Sequence, residues 1–281
     1  MRKCFSLALL PFLVFLVQSC QTAEPLTVMT FNVRYGLAKD GDYVWDNRRD
    51  ASCAMIADQH PAVFGVQEAL DFQLSYFREH CPGYEYVGVG REDGIHEGEH
   101  MAVFYDTARI ALQDWGTYWL SETPSQPSIG WDAACRRTAT WTLLEDKHTG
   151  RSFYFVNTHL DHVGKEARRR GLLLLVERIR EMNPEGYPMI LTGDMNVYPD
   201  DPCLNELRTL MEDARQTAKE TDNGLTYHGW GQTSPDSPPI DYIFYSGFAA
   251  CEQFNVVRSP YEGVKYVSDH YPVMATLHYA R

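Results

Sequence analysis

Nine runs of strand-like composition divide this chain, and most of them end in or just before a carboxylate, an amide or an imidazole. They cover residues 26–33, 62–66, 84–90, 101–105, 138–144, 153–159, 188–192, 240–245 and 272–278. Most are rich in Val, Ile, Phe or Tyr, and several alternate apolar with polar positions. Helical spacing occurs over 48–59, 70–80, 165–182 and 202–210. Strands therefore outnumber helices by about two to one. That ratio predicts an α/β (α+β) four-layer sandwich, two packed mixed β-sheets flanked by helices, rather than one doubly wound sheet. The Pro- and Ser-rich stretch 232–239 is immediately followed by a strand-like run, so it reads as a loop inside one large domain spanning 26–281.

The polar residues at the run ends are Asn32, Glu68, Asn157, His159, Asp194, Asn196, Asp241, Asp269 and His270. A hydrophobic core has no use for apolar runs that repeatedly end this way. Strand ends at one edge of a sheet sandwich can gather such groups into a site.

Six segments carry them: Thr30-Phe31-Asn32-Val33-Arg34, Gln67-Glu68, Asn157-Thr158-His159-Leu160-Asp161-His162, Gly193-Asp194-Met195-Asn196, Ile240-Asp241-Tyr242-Ile243-Phe244 and Ser268-Asp269-His270-Tyr271-Pro272. Each is weak alone. In this order they resemble the endonuclease/exonuclease/phosphatase superfamily, which includes pancreatic deoxyribonuclease, neutral sphingomyelinases, inositol polyphosphate 5-phosphatases and poly(A) deadenylases. The resemblance runs from about Leu26 to His278.

It implies a Mg²⁺-dependent hydrolase of phosphate esters, with Mn²⁺ as the alternative ion. Phosphate ester hydrolysis needs a hard cation on the non-bridging oxygens, a base for water and donors for the gathering charge. By the resemblance, Glu68 is the carboxylate ligand, with Asn32 and Asp269 beside it. Magnesium suits few protein oxygens and several waters. Asp194 would orient or deprotonate the water, and Asn196 would donate to the phosphoryl oxygens. His270 would contact the phosphate or move a proton, with Asp241 fixing its tautomer, and His159 would donate to phosphate or protonate the leaving group.

Branch details sharpen this. Abasic-site endonucleases usually carry an acidic residue where this chain has Arg34, and lack the Asn157–Leu160 segment, so both monoesterase and diesterase branches stay open. Segments 43–49 and 131–137 look like those of secreted bacterial members. There Arg48 or Arg137 could clamp a second phosphate while Trp45 or Trp131 stacks on a base or sugar, with Arg34 a further candidate for substrate contact. Solvated arginines and core tryptophans are an equal reading.

Rival classes are weaker. His159-Leu160-Asp161-His162 matches half of a dizinc hydrolase motif, but Asn157 stands where another histidine is required. A non-catalytic surface lipoprotein on the same fold would have lost a motif carboxylate or histidine, and none is lost. No G-x-S-x-G occurs.

At the N-terminus, Arg2 and Lys3 precede an apolar run over 5–17 that ends at Val17-Gln18-Ser19-Cys20. This reads as a lipoprotein signal peptide (1–19), a lipidated Cys20 and a tether (20–25), anchoring the protein to the bacterial envelope on the periplasmic side or the cell surface. No later segment reaches the roughly 18 to 20 apolar residues of a spanning helix. Acidic residues number 38 against 25 basic ones, a net charge of −13. Such a body repels a long nucleic-acid duplex, which needs clustered Lys and Arg. Small phosphate esters remain suitable, with Arg34, Arg48, Arg49, Arg136 and Arg137 available for one positive pocket and surface charge the plainer account. The five cysteines after Cys20 show no C-x-x-C spacing, which predicts buried thiols rather than structural zinc.

Overall fold

The computed structural model describes residues 24–280; the expected signal peptide and lipidated Cys20 lie outside them. In chain order the strands are β1 (Leu26–Asn32), β2 (Val63–Gln67), β3 (Tyr84–Val87), β4 (Val103–Asp106), β5 (Ile110–Trp119), β6 (Thr138–Asp146) and β7 (Arg151–His159). They continue with β8 (Met189–Asp194), β9 (Glu212–Asp213), β10 (Glu220–Thr221), β11 (Asp241–Ser246), β12 (Phe248–Val256) and β13 (Val273–Tyr279). The principal helices are α1 (Trp45–Gln59), α2 (Asp71–His80) and α3 (Lys165–Met182).

The strands form a seven-stranded sheet, ordered β10-β12-β13-β1-β2-β4-β3, and a six-stranded sheet, ordered β5-β6-β7-β8-β11-β9. Val28, Val63 and Val103 of the first meet Phe153, Phe155, Ile190 and Ile243 of the second in a core between the sheets. Met29, Phe31, Phe64 and Val66 face outward under Ile56 of α1 and Leu74 and Phe77 of α2. Tyr154, Val156, Leu191 and Phe244 pack under Leu172, Leu175 and Val176 of α3. The expected four layers are present. Central strands buried on both faces explain why their apolar runs are nearly continuous rather than alternating.

Two crossovers set the position of the site. β1 and β2 are parallel and joined through α1, and β7 and β8 are parallel and joined through α3. In each unit the C-terminal ends of both strands emerge on one edge. There Asn32 pairs in register with Gln67, His159 with Asp194, and Asp241 of β11 with Asp194. A polar clamp ties the sheets just below. Asn157 accepts from Gln67 Nε2 (2.6 Å) and donates to the carbonyls of Val66 (2.8 Å) and Ala102 (3.0 Å). Gly65 makes room for it, since a Cβ there would lie 2.5 Å from the Asn157 amide.

Some expectations shift. β5 and β12 were not anticipated: β5 is an edge strand with an exposed middle, and β12 carries Ala, Cys, Glu, Gln and Asn in place of β-branched residues. The strand expected to reach Gly90 stops at Val87, before Gly88 at φ 141°. The helix expected over 202–210 is a 3₁₀ turn, Pro202–Leu204, followed by one α-turn, Asn205–Arg208.

Candidate active site

A cavity of about 500 Å³ opens at this strand-end edge, and Glu68, His159, Asp194, Asn196, Asp269 and His270 all line it. Asp241 sits directly behind, with Oδ2 2.9 Å from His270 Nδ1. His270 Nε2 faces Asp194 Oδ2 at 3.7 Å, and His159 Nε2 lies 3.4 Å from the same oxygen. Asn32 Nδ2 donates to Glu68 Oε1 (3.0 Å) and Asp194 Oδ2 (3.1 Å), bridging one sheet to the other. Its amide oxygen accepts from the Arg34 backbone (3.0 Å), so in this placement Asn32 links the carboxylates rather than offering a free oxygen.

The local backbone is set for this convergence at some cost. Arg34, Glu68 and Asn196 hold φ of 64°, 63° and 51°, a left-handed conformation unusual for non-glycine residues and frequent at functional sites. Tyr35 N–H donates to Glu68 Oε2 (2.9 Å), Asn196 N–H to Asp194 Oδ1 (2.9 Å) and Ser268 Oγ to the Asn32 carbonyl (2.6 Å). These bonds hold loops from separate motifs against one another. Gly193 permits the close approach of β7, because a Cβ there would lie 2.2 Å from the Thr158 carbonyl oxygen.

The electrostatics divide the two histidines. Burial would depress the His270 imidazole, but the charge and hydrogen bond of Asp241, then the charges of Asp194 and Asp269, raise it to about 10. His270 is therefore a cation at neutral pH. Burial and the charges of Arg137 and Arg91 push His159 well below the ordinary range, so it is neutral. Burial and the charge of Asp241 raise the Asp194 carboxyl to about 7, against the pull of His270. Glu68 stays below the ordinary range despite burial, because the Asn32 hydrogen bond and the His270 charge outweigh it.

This donor set fits a hard divalent ion. Side-chain polar atoms of Asp194, Asp241 and His270 lie within 4.8 Å of one another, but a charged His270 has no lone pair for a metal, which leaves the carboxylates, and Asp241 Oδ1 is buried with no hydrogen-bond partner among the described residues. With Glu68 and Asp269, four carboxylates crowd one edge against the His270 imidazolium and the Arg34 guanidinium, which lies 3.6 Å from Asp269. A divalent cation on carboxylate oxygens would relieve that crowding.

The other sequence-derived residues divide. Arg34 and Arg137 line the cavity. Arg48 does not: it is 1 % exposed, and its guanidinium donates to the carbonyls of Val33 (2.6 Å), Val267 (2.9 Å), Tyr43 (3.0 Å) and Arg34 (3.3 Å). Rather than meeting substrate, it clamps the loop after Asn32 to the segment before Asp269. Trp45 is a core residue against Tyr76 and Phe77, and half-buried Trp131 is outside the cavity lining. The five arginines do not form one positive pocket, since Arg49 pairs with Asp46 and Arg136 with Glu92. Asn196 Nδ2 donates to the Leu160 carbonyl (3.0 Å) and meets His159 Nε2 (2.9 Å), so it steers that histidine instead of pointing free. Asp161, counted in the dizinc half-motif, is occupied by the N–H groups of Ala134, Val163 and Gly164. The cysteines Cys53, Cys81, Cys135, Cys203 and Cys251 are free thiols; three are buried, and the others half-buried.

The cavity also contains residues the sequence reading did not select: Tyr35, Arg91, Glu99, Cys135, His162 and Tyr227. The only local signal for two of them was the spacing of Gly88, Gly90, Gly94 and Gly98, which marks a long connection between β3 and β4.

Comparison with known proteins agrees with this geometry. Residues 29–270 match the model of the Endonuclease/Exonuclease/phosphatase family. A structure of such a protein from Bacteroides vulgatus is 36% identical, with a TM-score of 0.86, covering 91% of this chain and 99% of that one. A mannosyl-6-phosphatase from Bacteroides thetaiotaomicron is 34% identical, with a TM-score of 0.85, covering 90% of this chain and 100% of its own. An uncharacterized protein of Acanthamoeba polyphaga mimivirus is 30% identical over 169 residues; the match covers 58% of this chain and 62% of the viral protein's length.

Proposed function

The chain belongs to the endonuclease/exonuclease/phosphatase family, and on that footing we propose that it is a divalent-metal-dependent phosphomonoesterase acting on a small phosphate ester. The observation that carries the reading is the convergence of Glu68, Asp194, Asp269, His159 and His270 on one cavity. The mannosyl-6-phosphatase similarity supports a monoester over a diester.

In this reading Glu68 and Asp269 hold the ion, with Asn32 beside them; Mg²⁺ is the assigned metal and Mn²⁺ its substitute. When bound, the ion offsets charge on the non-bridging and leaving oxygens. Asp194 takes the proton of the attacking water, a task suited to a carboxyl raised to about 7. His270, kept cationic by Asp241, donates from Nε2 to a phosphoryl oxygen as negative charge gathers there. His159, neutral and steered by Asn196, gives a second polar contact to the same phosphate. The water oxygen bonds to phosphorus, the P–O bond to the leaving group breaks, the leaving oxygen takes a proton from solvent and ends as a hydroxyl, and Asp194 returns its proton to solvent.

The test is hydrolysis of p-nitrophenyl phosphate and bis-p-nitrophenyl phosphate with Mg²⁺ or Mn²⁺, before and after chelation. Metal-dependent turnover of the monoester is expected. Glu68→Gln should weaken the apparent metal affinity while leaving the circular dichroism spectrum native. Turnover indifferent to chelation, or preference for the diester, overturns the reading. We also propose that the enzyme works outside the cytoplasm on a lipidated Cys20; the support is the residue pattern of 1–20.

A further inference from the structure

Hydrolysis as described uses neither Arg91, Glu99 nor Arg137, yet all three line the same cavity. Arg91 donates through both terminal nitrogens to Glu99 (2.7 and 3.0 Å). The two side chains are only 12% and 13% exposed. Their loop is pinned: Arg91 N–H donates to the Glu99 carbonyl (3.1 Å), His100 N–H to the Ala69 carbonyl (2.7 Å) and Trp119 Nε1 to the Arg91 carbonyl (2.8 Å). Ala69 follows Glu68 directly, so the same bonds hold the pair beside the catalytic edge. Arg137, 5% exposed, faces Asp161 (3.4 Å) and donates to His162 Nδ1 (3.0 Å). His159 lines the same cavity, so this group shares its space with the proposed phosphate contact.

The charge pattern restricts what such a group can bind. Every arginine lining the cavity already has a carboxylate: Arg91 has Glu99, Arg137 has Asp161, and Arg34 has Asp40 and Asp269. A second phosphate or a nucleic-acid backbone would require uncompensated cations. A nucleobase would need an aromatic face beside the pair. The lining aromatics are Tyr35 and Tyr227, and Tyr227 packs on His270 (4.9 Å), at the phosphate end. Paired charges, by contrast, suit hydroxyls, which donate and accept at once. Glu99 takes hydrogen bonds from Arg91 alone among the described residues and has lone pairs to spare. A guanidinium beside it can donate to the same diol.

We propose that Arg91, Glu99 and Arg137 form the leaving-group subsite and that it takes a neutral polyol, a monosaccharide carrying one phosphate. The inference rests on the phosphomonoesterase reading and adds the substrate class.

The test compares the Mg²⁺-loaded enzyme on mannose 6-phosphate, glucose 6-phosphate, p-nitrophenyl phosphate and a nucleoside 5′-triphosphate. Glu99→Gln, which keeps the shape and removes the charge, should lower kcat/KM for the hexose phosphates about tenfold to a hundredfold more than for p-nitrophenyl phosphate, chiefly through KM. An equal fall on both substrates makes Glu99 structural and overturns the subsite. In the wild type, free hexose should inhibit p-nitrophenyl phosphate hydrolysis competitively where adenosine at the same concentration does not. That measurement decides the matter if the variant does not fold. Preference for the nucleoside triphosphate over hexose phosphates overturns the subsite and leaves phosphate-ester hydrolysis standing. A wild type inert on every ester overturns both.

Discussion

Asp241 and His270 set the pH behaviour expected of the site. Asp241 supplies the largest upward contribution to the His270 imidazole, and with it His270 stays charged to about 10. If the charged form is the working one, activity persists until pH rises through that value. Asp241→Asn should then move the alkaline limb of kcat to lower pH, and a limb that stays in place would remove His270 from the cationic role. Arg48 makes a different case. Its Arg-Arg neighbourhood next to Trp45 suggested contact with substrate, yet burial lowers its guanidinium to about 10 and four carbonyls occupy its donors. Arg48→Ala should cost about 3 kcal/mol or more in urea denaturation, because buried carbonyls lose their donors. A loss near zero would show that water replaces the guanidinium. Nothing local distinguishes a phosphate-binding arginine from a carbonyl-binding one; the chemistry is identical, and only the position of Val267, distant in sequence, decides it.

Among the connections, the turn between β7 and α3 depends on one carboxylate. Burial pushes the Asp161 carboxyl up, but the N–H groups of Gly164, Val163 and Ala134, with Arg137, outweigh it and bring it down to about 2. A lowered native value means that the contribution is complete above the ordinary aspartate range, near 4, and is lost as pH falls from there through about 2. Asp161→Ala should cost about 2–4 kcal/mol at neutral pH, and its difference from wild type should shrink as the buffer is acidified over that window. A difference constant with pH would mean the charge is irrelevant. Strands β1, β2, β7 and β8 were legible because burial on both faces writes itself as a nearly continuous apolar run. β5 and β12 were not, since an edge or partly exposed strand tolerates Gln, Asp, Glu and Asn without losing its ladder.

At the level of the whole molecule, the proposed lipid anchor stands or falls on Cys20. Cys20→Ala should release the protein from the detergent phase into the aqueous one in phase partitioning, since two acyl chains are what would hold it there. Retention of the variant in the detergent phase would rule out the lipid anchor. The order of six motifs and the apolar runs that precede them were enough, by themselves, to indicate the family and the four layers and to single out Glu68, His159, Asp194, Asp241, Asp269 and His270, which the fold gathers at one strand-end edge, because side-chain period and motif chemistry are local properties. Which histidine carries the charge, that Asn196 steers His159, that Arg48 and Trp45 belong to the core, and that Arg91 and Glu99 face the cavity were decided only by the tertiary structure. Those outcomes depend on burial and on partners far apart in the chain, brought together when the two sheets close face to face.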